Sequence, residues 1–263
     1  MNFVEKLTSA ARKNKSLLCV GLDTDPKLMP DKVGIFEFNK AIIDVTHDLV
    51  CAYKPNFAFY EALGSEGLDA LKRTVDHIPK NIPVIADAKR SDIGNTAKAY
   101  ARAIFEYFGF DAATVNPYLG FDSIEPFIQY RDKGVFILCR TSNSGAMDFQ
   151  SLLCEVEGRS RPLFEVVALK ASQWNTHGNI GLVVGATYPE ELKLIRQIQP
   201  DMPLLIPGIG AQGGDVAASL EAGRGGGLIV SSSRAVLYPD SDAPGAVRAA
   251  AMATRDLINE HRG

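Results

Sequence analysis

Residues 82–96 read IPVIADAKRSDIGNT. The stretch opens on Ile82–Ala86 without polar alternation, which suits a strand buried on both faces, as in a parallel sheet. It then closes on charge, with Asp87, Lys89, Arg90 and Asp92 in quick succession. A helical stripe of Ala97, Ala101, Ile104 and Phe108 follows over 94–108. Apolar strand, charged end, helix: this is one unit of a repeating α/β chain.

The same unit recurs along the sequence. Apolar runs closing on polar residues are SLLCVGLD (16–23), LVCAYKPN (49–56), IPVIADAK (82–89) and AATVNPY (112–118). Further on come GVFILCRT (134–141), IGLVVGAT (180–187), PLLIPGIG (203–210) and GLIVSSSR (227–234). Helical patterns separate or follow them at 35–50, 66–78, 94–108, 121–132, 160–174, 189–198, 214–222 and 243–260. Eight buried strands alternating with helices predict an α/β fold, a (β/α)8 TIM barrel, as one domain over 1–263. An open doubly wound sheet is the alternative, but no GxGxxG follows the first strand. A short helix over about 3–13 precedes strand one and is expected to plug the bottom of the barrel. The longest irregular piece, 142–159, follows strand five and is a candidate active-site lid.

Composition narrows the function classes. With 46% hydrophobic and 22% charged residues, the 263-residue chain can fill a large core and keep a hydrated surface. A net charge of −3 argues against a nucleic-acid-binding surface. No apolar run is long enough to cross a bilayer, and the opening MNFVEKLTSAAR lacks the apolar centre of a secretory signal. The four cysteines (Cys19, Cys51, Cys139, Cys154) form no CxxC, and three sit in apolar runs as small buried hydrophobes. The expectation is a reduced, cytoplasmic enzyme with neither membrane nor nucleic acid as partner.

Barrel enzymes carry their chemistry at the C-terminal ends of the strands. In order, those ends supply Asp23, Lys54, Asp87 with Lys89, Asn116, Ser142, Thr187, Gln212 and Arg234. Asp87 and Lys89 are two apart and so face the same side of their strand, whereas Asp92 lies past the turn and need not. A surface ion pair would contribute little, but this pair ends a buried strand. Lys54 would add a second ammonium beside these carboxylates. After strands seven and eight come PGIGAQGGD (207–215) and SSSRA (231–235), where barrels often bind phosphate. Glycine amides can approach a phosphate closely, and Arg234 offers bidentate donors to a dianion. The four histidines (His47, His77, His177, His261) fall in or beside helices, so neither a histidine base nor a histidine metal site is expected. Trp174 lies in a helical stretch, where core packing is its ordinary role.

DAKRSDIGNT resembles the Asp-x-Lys-x-x-Asp-Ile-x-x-Thr signature of the orotidine 5′-phosphate decarboxylase family. GLDTDP, YKPNFAFYE, VNPYLG, RTSNSG, PGIGAQGGD and SSSRAVLY are similar to that family's other blocks, in the same order across 16–238. They look closest to its bacterial longer-chain branch. The resemblance implies a homodimeric barrel that converts orotidine 5′-phosphate to UMP, the last step of de novo UMP synthesis, with no metal and no organic cofactor.

It also implies a role for each matching residue. Lys54, Asp87, Lys89 and Asp92 form the catalytic array, with Asp87 against the leaving carboxylate and Lys89 delivering the proton to C6. Asp23 and Lys54 hold the ribose hydroxyls, and Ser142 hydrogen-bonds the pyrimidine. Gln212 and Arg234 bind the phosphate, and Asn116 and Ser233 complete the substrate-binding set. Asp92 and Thr96 reach across the dimer interface into the neighbouring site. Ser233 departs from the family, where many members carry glycine, although its amide can still donate.

Two other readings compete. Mg2+-dependent sugar-phosphate decarboxylases and aldolases of the same superfamily share Asp-x-Lys-x-x-Asp but end strand two on an acidic metal ligand. Lys54 stands there in this chain and would repel a divalent cation. A non-catalytic nucleotide-binding protein would not need the intact Lys54–Asp87–Lys89–Asp92 array.

Overall fold

The computed structural model describes residues 1–208, 216–240, 243 and 245–262. The strands are β1 (Leu18–Leu22), β2 (Ala52–Pro55), β3 (Ile85–Arg90), β4 (Ala112–Val115) and β5 (Gly134–Arg140). They continue with β6 (Leu153–Val156), β7 (Arg159–Pro162), β8 (Ile180–Val184), β9 (Leu204–Pro207) and β10 (Leu228–Ser232). Eight of them form one sheet in the order β2-β1-β10-β9-β8-β5-β4-β3, and all of its ladders are parallel. Bridges from Tyr53 to Val84 and from Asn56 to Asp87 join β2 to β3 and close the ring. The eight apolar runs of the sequence are these eight barrel strands. β6 and β7 form a separate antiparallel hairpin within the segment after β5.

Strand side chains alternate in and out of a barrel wall, and this alternation builds two cores. Leu18, Val20 and Leu22 of β1 face outward and join the layer between strands and helices. Cys19 faces inward, together with Ala52, Ile85, Ala112, Phe136, Val183, Leu205 and Ile229 from the other strands. That inner ring is wholly apolar and fills the lower barrel. The helix Phe3–Asn14 lies against it, capped by a reciprocal Asn2–Glu5 capping box. Its Phe3 meets Phe136 edge-on at 5.6 Å, and a Cβ on Gly134 would come within 2.4 Å of the Phe3 ring. Glycine at 134 lets the helix sit this close.

Two residues further along β1, β2, β3, β4 and β10 the inward positions change character, whereas β5 keeps the apolar Leu138 there. Gly21, Lys54, Asp87, Thr114 and Ser231 follow Cys19, Ala52, Ile85, Ala112 and Ile229. The barrel is therefore apolar at its base and turns polar at its mouth along the arc from β10 through β1, β2 and β3 to β4.

The helices lie where the periodicity places them, most with ends shifted by a few residues: Ile35–Thr46, Gly64–His77, Gly94–Arg102, Phe121–Ile128, Leu163–Trp174, Pro189–Ile198, Val216–Ala222 and Ala246–His261. The third runs on through a π turn, Ala103–Tyr107. The segment expected to be irregular, 142–159, instead contains a 3-10 turn, Ser144–Asp148, and most of the β6–β7 hairpin. Gln150 ties it down: its carboxamide accepts from the Thr141 amide at 2.8 Å and donates to the Thr141 hydroxyl at 2.8 Å.

Candidate active site

Because every barrel strand runs the same way, the charged strand ends converge on one mouth. Lys54 Nζ donates to Asp87 Oδ2 at 2.7 Å, and Lys89 Nζ donates to Asp87 Oδ1 at 2.5 Å. Lys54 and Asp87 are nearly enclosed, whereas the Lys89 side chain is half exposed and faces the opening. Burial alone would push the Asp87 carboxyl up, but the ammonium groups of Lys54 and Lys89 outweigh it and hold Asp87 below the carboxylate range. Burial would likewise lower Lys54, and the charges of Asp87 and Asp23 outweigh it, holding that ammonium above its ordinary value. The array is therefore charged as +, −, + in order from wall to mouth.

The end of β3 is not a regular strand. Ala86 pairs with Ala113 and Arg90 with Val115, so three residues of β3 oppose the single residue Thr114. Within this bulge Lys89 is left-handed, with φ 46°. The Thr114 hydroxyl accepts from the amides of Ala88 at 3.1 Å and Lys89 at 3.0 Å, and lies 3.2 Å from Asp87 Oδ1.

Around this array stand the other strand ends. Asp23 follows β1, and its Oδ1 is buried without a hydrogen-bond partner among the described residues. Its neighbour Thr24 belongs to a buried network with Asn39, Tyr60 and Thr74, in which the Tyr60 hydroxyl donates to the carbonyl of Leu22 at 2.9 Å. A Cβ on Gly21 would fall 2.0 Å from Ser233 Oγ, so glycine at 21 leaves room for the Ser233 hydroxyl where the ends of β1 and β10 meet beside Asp23. Arg234 follows Ser233 as an exposed cation with no ion pair among the described residues. Ser142 follows β5 directly after the Gln150-tethered Thr141. Asn116 ends β4, with its carboxamide oxygen accepting from the Tyr118 amide at 3.1 Å to cap the turn Pro117–Leu119. Gln212 lies outside the described residues.

Two expected site residues are not joined to the array within this chain. Asp92 accepts from the Ile93 amide at 2.8 Å and forms no ion pair with Lys89. Thr96 is exposed on the helix Gly94–Arg102. Thr187 lies past β8 and is exposed. Among the described residues no group of three or more His, Cys, Asp or Glu is arranged to hold a metal ion.

Three residues outside the expected set also border the site. Thr114 carries the inward face of β4, and its signal was a hydroxyl in an otherwise apolar strand. Arg140 is 1% exposed at the end of β5, pairs with Glu191 at 2.5 Å and lies 4.5 Å from the Tyr188 ring. Gln150 tethers the segment beside Ser142. The last two interact through contacts that have no local sequence signature.

The chain resembles known proteins over its whole length. The sequence model of the orotidine 5′-phosphate decarboxylase / HUMPS family matches residues 16–250. An orotidine 5′-phosphate decarboxylase of Dehalococcoides mccartyi is 57% identical, covering 100% of this chain and 99% of that protein. One from Ralstonia pickettii is 51% identical, with both proteins covered completely. The Leishmania donovani OMP decarboxylase structure superposes with a TM-score of 0.87 at 41% identity, covering 100% of this chain and 99% of that one. The UMP synthase structure of the same organism gives a TM-score of 0.90 at 43% identity; this chain spans 57% of its length.

Proposed function

Since the chain belongs to the orotidine 5′-phosphate decarboxylase / HUMPS family, we propose that it converts orotidine 5′-phosphate (OMP) to UMP and CO2, as a step of pyrimidine biosynthesis. One arrangement carries this reading: Asp87 is shared between an enclosed Lys54 and a Lys89 that faces the barrel mouth, at 2.7 and 2.5 Å.

Breaking the C6–carboxylate bond leaves an electron pair on an sp2 carbon with no adjacent electron sink, so a fixed positive charge must meet it. Lys89 is such a charge, already oriented by Asp87, and it transfers its proton to C6 as CO2 departs. Asp87 crowds the substrate carboxylate before the bond breaks, and that repulsion vanishes with the loss of CO2. Asp23 and Lys54 hold the ribose, and Ser142 the pyrimidine edge. Arg234, with Ser233 and Gln212, holds the phosphate, whose binding energy helps to close the site on the ring. Asn116 shapes the wall beneath the substrate through the turn that it caps.

Two chains share each site in this proposal. Asp92 and Thr96 stand apart from their own array, and the neighbouring loops expose Ile93 (57%), Tyr118 (79%) and Leu119 (48%). An apolar rim beside displaced polar residues suits a symmetric dimer in which the partner's Asp92 completes the array. The unpaired thiols of Cys19, Cys51 and Cys139 fit a reducing compartment, and we read the enzyme as cytoplasmic.

The Mg2+-dependent alternative is disfavoured because Lys54 occupies the position of the acidic ligand, beside Asp87. The test is direct: follow the absorbance of OMP with the purified protein in excess EDTA, and identify UMP as product. Turnover that survives chelation is expected. Loss of activity restored by Mg2+ would favour the sugar-phosphate reading, and tight UMP binding without turnover would favour a non-catalytic protein.

A further inference from the structure

We propose that Thr114 is a positioning residue for this site, its hydroxyl holding the end of β3 in the bulged, left-handed form that sets Lys89 on Asp87. The inference rests on the decarboxylase reading above.

The β3–β4 ladder has a gap. It is regular at Ala86–Ala113 and resumes at Arg90–Val115, where the Asn116 amide donates to the Arg90 carbonyl at 2.9 Å. Between these points the amides of Ala88 and Lys89 stand outside the paired register. Both donate instead to Thr114 Oγ1, at 3.1 and 3.0 Å. A side-chain oxygen thus replaces the missing ladder, and the same oxygen approaches Asp87 Oδ1 at 3.2 Å. With two amides donating to it, the hydroxyl has its own proton left for Asp87 or for the Ala86 carbonyl at 3.4 Å.

This matters for Lys89 because its backbone is left-handed, a conformation disfavoured for a residue with a side chain. Such a conformation persists only where its surroundings hold it. Thr114 is 1% exposed, so water is poorly placed to substitute for the hydroxyl. As a β-branched residue it also has few rotamers, which fixes the oxygen in place. Without the hydroxyl, the amides at 88 and 89 lose their acceptor and the bulge has reason to relax. The Lys89 ammonium would then lose its setting on Asp87. The ribose and phosphate contacts come from other strands and would stay.

Three variants test this: Thr114→Val and Thr114→Ala remove the hydroxyl, and Thr114→Ser keeps it. The readouts are kcat and KM for OMP, the dissociation constant for UMP, thermal stability, and a crystal structure of Thr114→Val. The hydroxyl-free variants should lose roughly 30-fold or more in kcat, about 2 kcal/mol of barrier, while Thr114→Ser stays near wild type. KM and UMP affinity should change by no more than about threefold in all three variants. In the Thr114→Val structure the Lys89 φ should leave the positive region.

A Thr114→Val enzyme with wild-type kcat overturns the proposal, as does Thr114→Ser falling as far as Thr114→Val. Parallel loss of kcat, UMP affinity and melting temperature, or failure of the hydroxyl-free variants to fold, would make Thr114 architectural and also overturns it. If the wild-type protein does not turn over OMP, the functional reading fails on its own. The Lys89 φ in Thr114→Val then still decides what the hydroxyl does, and a retained left-handed Lys89 overturns the proposal.

Discussion

Lys54 and Asp87 form a nearly enclosed ion pair, 2.7 Å from Nζ to Oδ2, with side chains 6% and 11% exposed. Such a pair contributes little net stability over an apolar substitute, yet breaking it is costly because one charge stays behind. Lys54→Met should therefore destabilise the fold by about 3 kcal/mol or more. Adding Asp87→Leu to it should recover part of that loss. Denaturant unfolding of the two single variants and the double variant measures this. Additive losses would mean that the pair is not coupled.

The same pair sets a pH window. Asp87 is depressed in the folded state, so its stabilising contribution is present above the ordinary carboxylate pKa and is lost as pH falls through the folded value. Lys54 is raised, so its contribution is present below the ordinary lysine pKa and is lost as pH rises through the folded value. The pair should thus stay intact from about pH 5 to about pH 9, between the ordinary carboxylate and lysine values. Unfolding free energies of wild type and the double variant should run parallel across that range. A difference that changes steadily across it would place a pKa of the pair inside the window.

Lys89→Ala should abolish turnover while UMP still binds, because the groups assigned to ribose and phosphate lie on other strands. Single-turnover kinetics and a UMP titration separate the two effects. Substantial remaining kcat would mean that another group protonates C6.

Arg234→Ala should raise KM and lower kcat together, since phosphate binding supports both ground and transition states. Added guanidinium should restore part of the rate. Kinetics indistinguishable from wild type would move the phosphate site elsewhere.

A shared site makes a mixing prediction. Asp92→Asn and Lys89→Ala should each be nearly inactive alone. Random pairing of equal amounts gives heterodimers in about half of the assemblies, each with one intact site, so roughly a quarter of wild-type activity should return. If subunits exchange and no activity returns, the site is not shared.

The sequence by itself determined the barrel. Eight continuous apolar runs, each separated from the next by room for a helix, leave few ways to bury both faces of every strand, and a parallel closed sheet is one. It also placed Lys54, Asp87 and Lys89 at one mouth, because parallel strands carry their C-terminal residues to the same end. Only the tertiary structure decided what holds them there. The bulge at Ala86–Arg90, the left-handed Lys89 and the Thr114 hydroxyl that takes up two amides depend on the register between β3 and β4, to which no local propensity refers. The same holds for Gln150 on Thr141 and for the Tyr60 network behind Asp23, whose partners are 9 to 38 residues apart. Periodicity records which face of a strand is buried, whereas hydrogen bonds between strands depend on how those faces are brought together.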